Sequence, residues 1–156
     1  MAYAEGTTVP VEKSIAEIVS LVKRAGADRV AQYEEPERFT IQFAMEGRQV
    51  RFRVGLPAAA DMPTRDGRGA MLSNAQRIAR AQQAHRQKAR ALLLVIKAKL
   101  ESVTSGVETF EQAFLPNVVM ADGATVYDRI AAPIATEYES GMPAQLLLAG
   151  PGGARS

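Results

Sequence analysis

Three short runs of two-residue alternation, separated by turn residues, constrain this chain more than any other feature. Phe39, Ile41 and Phe43 alternate with Thr40 and Gln42. After a turn at Glu46-Gly47, Val50, Phe52 and Val54 alternate with Gln49, Arg51 and Arg53. Upstream, Val30 and Gln32 alternate with Ala31 and Tyr33, ahead of a polar turn over Glu34–Glu37 around Pro36. Successive strand residues point to opposite faces, so the pattern predicts a three-stranded antiparallel meander with one apolar face. Phe39, Phe43 and Phe52 belong to that face. Tyr33 fits either.

Around this meander the period changes. Val11, Ile15, Ile18, Val19 and Val22 recur at helical spacing, which predicts an amphipathic helix over 11–25, with Pro10 at its start and Gly26 as its stop. Thr7 or Thr8 is a candidate cap, and this helix is the natural cover for the apolar sheet face. Residues 55–73 are rich in Gly, Pro and Ala and read as a long flexible loop. Ser73 or Asn74 then caps a long helix reaching Val103 or Thr104, ended by Gly106. Its first half is polar and basic and is expected to project into solvent. Its second half, ALLLVIKAKL, is apolar nearly all round and is expected to be buried.

A short helix over Glu108–Leu115, a short strand over Val118–Ala121 turning at Asp122-Gly123, and a last helix over Thr125–Tyr138 interrupted near Pro133 complete the expectation. The fold class is therefore α+β: an N-terminal helix on a three-stranded antiparallel meander, then a long helix and a small helical C-terminal part. Residues 1–148 read as one domain, and 149–156 as a disordered tail. Leu146–Leu148 beside that tail are a candidate small interface.

Composition narrows the chemistry. The chain has no cysteine, which removes disulfides, thiolate nucleophiles and cysteine metal sites, and suits a reducing, cytoplasmic setting. Its one histidine, His85, sits in QQAHRQK with no carboxylate three or four residues away, so neither a triad nor a metal site is expected. Glu34, Glu35 and Glu37, and later Glu137 and Glu139, show no acid–base pairing, and no phosphate-cradling glycine motif occurs. No signal-peptide pattern or apolar run long enough to span a bilayer is present. These features point to binding without catalysis and to no cofactor.

Charge is distributed unevenly. Residues 1–63 carry eight basic and nine acidic side chains, whereas residues 64–99 carry nine basic side chains and one acid, Asp66. Residues 100–156 carry two basic and seven acidic side chains, expected to neutralise the basic helix within the fold or across an oligomer. A basic segment of this kind is the footprint of phosphate contact. The candidate contacts are Arg65, Arg68, Arg77, Arg80, Arg86, Lys88 and Arg90, with Arg51 and Arg53 on the outer sheet face as second choice. At about 100° per residue, Arg86, Arg90 and Lys97 share one helix stripe. Arg77, Lys88 and Lys99 lie roughly opposite, with Arg80 between, so one flat contact cannot use them all.

Five segments, TTVPVEKSIAEI, GRQVRFRVGLP, RALLLVIKAKLESVTSG, TFEQAFLPNVVMADGATV and YESGMPAQLL, resemble in order a group of small uncharacterised phage and prophage proteins. The likeness spans almost the whole chain and implies a phage setting with no established activity. Sequence alone thus favours a phage-type accessory protein for non-specific or single-stranded DNA in replication or recombination. The alternative is a phage protein that binds and modulates a host enzyme or defence component. A homo-oligomer is expected because the apolar helix needs more cover than the meander offers.

Overall fold

The computed structural model describes residues 4–144, so Leu146–Leu148 and the tail lie outside the described residues. The element order is α1 (Val11–Arg24), β1 (Asp28–Glu35), β2 (Arg38–Met45), β3 (Arg48–Gly55), α2 (Asn74–Thr104), α3 (Phe110–Phe114) and α4 (Val126–Ser140). The fold is α+β, with the expected helix, meander, long helix and small C-terminal helices.

The sheet has the order β1-β2-β3, both pairs antiparallel. Its register sets Ile41 between Gln32 and Phe52, and Thr40 between Tyr33 and Arg53. Phe39, Ile41, Phe43, Val50 and Phe52 are buried on the inner face together with Ile15, Ile18 and Val22 of α1 and Leu92, Leu93, Ile96 and Leu100 of α2. Two helices therefore cover the sheet where the alternation called for one. Phe114 of α3 seals the end of this core: its ring lies edge-on to Phe43 and Phe52, each at 6.2 Å, and stacks on Phe110 at 4.7 Å.

The helix ends follow their sequence signals. Ser73, Thr109 and Thr125 each accept a hydrogen bond from the backbone N–H three residues on, and the side chains of Gln76, Gln112 and Asp128 accept reciprocally. Gly141 closes α4 with φ 70°, a left-handed geometry that glycine adopts without strain. At the first helix the cap differs from expectation: Pro10 stands at the N-cap, and Thr7 Oγ1 accepts from the N–H of Val9. Pro133 does not interrupt α4, which runs through it, and Val118–Ala121 forms only isolated bridges, Val50 to Val118 and Val119 to Thr125.

The long helix also departs from its expected division. Its basic first half packs against residues 4–8 and 57–62, with Ala81 and Ala89 buried, while Val95 in the apolar half is 44% exposed. Leu92, Leu93, Ile96 and Leu100 are buried within one chain, so α2 by itself does not demand a second copy. The 55–73 segment, expected as a flexible loop, has a 3-10 turn at Ala59–Asp61 and a bridge from Arg65 to Met71.

Candidate nucleic-acid interface

Helical phase decides which basic side chains are used internally. The buried stripe of α2 runs through Ala81, Ala89, Leu92 and Ile96. The Arg86–Arg90 and Arg77–Lys99 stripes border it on either side, close enough to reach neighbouring elements. Arg90 Nη1 donates to Glu17 Oε2 of α1 at 2.8 Å. Arg86 donates to Gln83 Oε1, whose amide in turn donates to the carbonyls of Glu5 and Thr7. Arg77 Nη2 donates to the carbonyls of Ala60 and Met62, both at 3.0 Å, and so pins the 3-10 turn onto the helix. Lys99 Nζ donates to the carbonyl of Ala113 and lies 5.8 Å from the centroid of the Phe114 ring. His85 Nε2 lies 2.7 Å from the carbonyl of Pro57. A carbonyl only accepts, so this nitrogen carries the hydrogen.

The stretch just ahead of α2 is organised by Asp66, the one acid of residues 64–99. Asp66 Oδ1 accepts from the N–H groups of Arg68 and Ala70, and the Leu72 N–H donates to the Thr64 carbonyl. Arg65 Nη1 donates to the carbonyl of Gly69, which leaves Arg68 exposed at the tip of a small hairpin. The one carboxylate of the basic segment is thus engaged with backbone amides.

Besides Lys97, which is exposed and among the described residues unpaired but lies about 180° round α2 from Lys88, Arg68, Arg80 and Lys88 remain. All three are exposed, and among the described residues their side chains make no hydrogen bond or ion pair. Arg80 and Lys88 are separated by about 80° and ~12 Å along the helix, on the same broad side. Arg65, Arg77, Arg86 and Arg90, which sequence placed in the same set, hold loop and helix contacts. The acidic C-terminal third does not neutralise this segment within the chain: Glu111 pairs with Arg48, and Asp122 with Arg129. Among the described residues no carboxylate of that third pairs with a basic residue of 64–99.

The outer sheet face is the second candidate. Tyr33, 58% exposed, shares a cross-strand row with Thr40 and Arg53, and Tyr127 of α4, 60% exposed, stands beyond Arg51 and Arg53 across a hollow of about 290 Å³. Tyr127 is a stacking group that sequence reasoning missed, whereas Tyr33, which the alternation fitted to either face, lies on the outer one. For Tyr33 the parity of the strand carried the signal, whereas Tyr127 reaches the site only through the tertiary fold. Arg51 donates to the carbonyl of Gly123, and burial lowers its pKa, the neighbouring Arg53 adding to the effect. Asp128 is held below its ordinary carboxyl range, first by the Thr125 N–H, then by the Thr125 hydroxyl and by Arg53 and Arg51. Glu35 is lowered by its hydrogen bond from Arg38 at 2.6 Å. Glu35 and Asp128 thus offset two of the three cations Arg38, Arg51 and Arg53, while Glu34 is registered opposite buried Phe39 on the inner face. The loop and helix cations have no such balance.

Among the described residues no three His, Asp or Glu side chains are grouped to hold a metal ion, and no helix is long and apolar enough to cross a membrane. No protein-family description, curated protein or solved structure matches the chain.

Proposed function

We propose that the chain is a nucleic-acid-binding accessory protein that contacts phosphates through Arg68, Arg80 and Lys88. The observation that carries this reading is the exposure of these three cations without a protein partner, on a segment whose only acid is taken up by backbone amides. Cations held this way release counterions from a phosphate backbone and give sequence-independent affinity that falls with salt. The outer sheet face sets two carboxylates, Glu35 and Asp128, against its three arginines, which makes it the weaker electrostatic surface. A phage setting and a role with single-stranded or non-specific DNA in replication or recombination extend the same reading.

The test is fluorescence anisotropy with labelled single- and double-stranded oligonucleotides at low and moderate salt. Binding that weakens with salt and is lost in the triple variant Arg68→Ala/Arg80→Ala/Lys88→Ala supports the reading. Absence of binding at low salt refutes it.

A second reading, a protein that docks on a host enzyme or defence component, is favoured by α4. Tyr127, Ile134 and Tyr138 form an exposed row on that helix, Tyr138 being 89% exposed. A stoichiometric complex with a host protein that survives high salt and is lost in Tyr138→Ala distinguishes the two.

A further inference from the structure

The two edges of the sheet are treated differently. The outer edge of β3 is closed: the Val119 N–H donates to the Gln49 carbonyl, Asn117 Nδ2 donates to the Arg51 carbonyl, and Val118 bridges to Val50. The outer edge of β1 is open, since among the described residues its backbone bonds only to β2. An unpaired strand edge is a template for another strand, and proteins that protect one place charge along it or shorten it. Here the middle of the strand, Val30-Ala31-Gln32-Tyr33, is uncharged, and a register irregularity is confined to its start, between Asp28 and Ala31.

Beside that edge the inner face of β1 is incompletely covered. A groove of about 680 Å³ runs between α1 and β1, with Ile15, Ala16, Val19 and Val30 along its middle. Its ends are charged with opposite sign. Lys23 lies at one end with Arg29 of the adjoining strand, and Glu12 and Glu34 lie at the other with Glu35 next in the chain. Asp28 is the one exception at the positive end. A surface that is apolar at its centre, positive at one end and negative at the other is complementary to itself under a two-fold rotation.

We infer that β1 pairs antiparallel with β1 of a second copy, joining two three-stranded sheets into one six-stranded sheet. For both apolar faces to lie on the same side, residues directly opposite each other must share parity. Centring the axis on Gln32 satisfies this. It sets Ala31 against Tyr33 of the second copy, twice over. It brings Lys23 toward Glu34 of the second copy, and packs the two α1 helices across the axis over the groove. The uncharged residues Ala31, Gln32 and Tyr33 then occupy the middle of the junction, with Val30 opposite Glu34 of the second copy on either side. This surface is separate from the exposed face of α2, so the dimer and the phosphate-contact reading stand or fall independently.

The experiment is sedimentation equilibrium of the full chain across a concentration series. The expected result is a mass rising to about twice the 16.8 kDa of the chain. Ala16→Arg, an exposed helix position at the groove centre, returns the chain mass with an unchanged far-ultraviolet dichroism spectrum. Lys23→Glu raises the dimer dissociation constant by about tenfold, because two symmetry-related attractions become repulsions. Lys23→Glu/Glu34→Lys restores it, a result that general damage to the fold does not produce. A wild-type mass of one chain at the highest concentration overturns the inference, and so does a dimer that persists in Ala16→Arg.

Discussion

Arg77→Ala and Arg80→Ala, compared side by side, separate the cations that hold the fold from those proposed to meet phosphate. The residues are three apart on one helix and chemically identical, yet only Arg77 is tied to protein, through the Ala60 and Met62 carbonyls. Losing two partly exposed charge-assisted hydrogen bonds costs about 1–2 kcal/mol, which lowers the melting temperature of a domain of this size by about 2–8 °C. Arg80→Ala removes no contact, so stability changes by less than about 0.5 kcal/mol. Its effect falls on salt dependence: one phosphate contact contributes about 0.9 to the slope of log affinity against log salt, so affinity falls about 3.5-fold less between roughly 50 and 200 mM salt in the variant. For Arg68, Arg80 and Lys88 together the difference compounds to about 40-fold. Thermal melts and anisotropy titrations over that range measure both quantities. Equal melting shifts in the two single variants, or equal losses of salt slope, refute the division.

Other expectations follow from the core and the caps. Phe114→Ala removes a fully buried ring that meets Phe43, Phe52 and Phe110, and lowers unfolding free energy in denaturant titrations by about 3–5 kcal/mol. Asp128, Asp122 and Glu35 all have lowered pKa values in the folded chain, Asp128 and Asp122 from 3.8 and Glu35 from 4.5. Groups depressed on folding lend stability that is complete above their unfolded values and lost as pH falls through the folded ones. The melting temperature therefore holds steady from neutral pH to about 5 and declines below about 4, with a shallower decline in Asp128→Asn. Gly141→Ala places a β-carbon in a left-handed geometry at the end of α4 and costs about 1–2 kcal/mol, read by loss of helical dichroism at a lower temperature.

Much of the fold was legible in the chain because its signals are local. Alternation fixes which strand residues face inward, Gly47 and Gly106 mark turns, and Ser73 with Gln76 announces the start of α2 without reference to anything distant. The second cover over the sheet was not legible. The apolar stripe of α2 states that it is buried but not against what, and the bonds of Gln83 to Glu5 and Thr7 join segments more than seventy residues apart.

The candidate site divides in the same way. Sequence determined that residues 64–99 carry nearly all their charge with one sign, because composition needs no coordinates. Only the tertiary structure decided which of those charges are left over. Whether a guanidinium finds a carbonyl depends on what the neighbouring element places within its reach, and the same holds for Tyr127, which arrives beside Arg53 on a helix remote from it in the chain. Residue type and phase are properties of the chain, whereas a partner is a property of two segments at once. Arg77 and Arg80 read alike in sequence and differ in the fold for that reason.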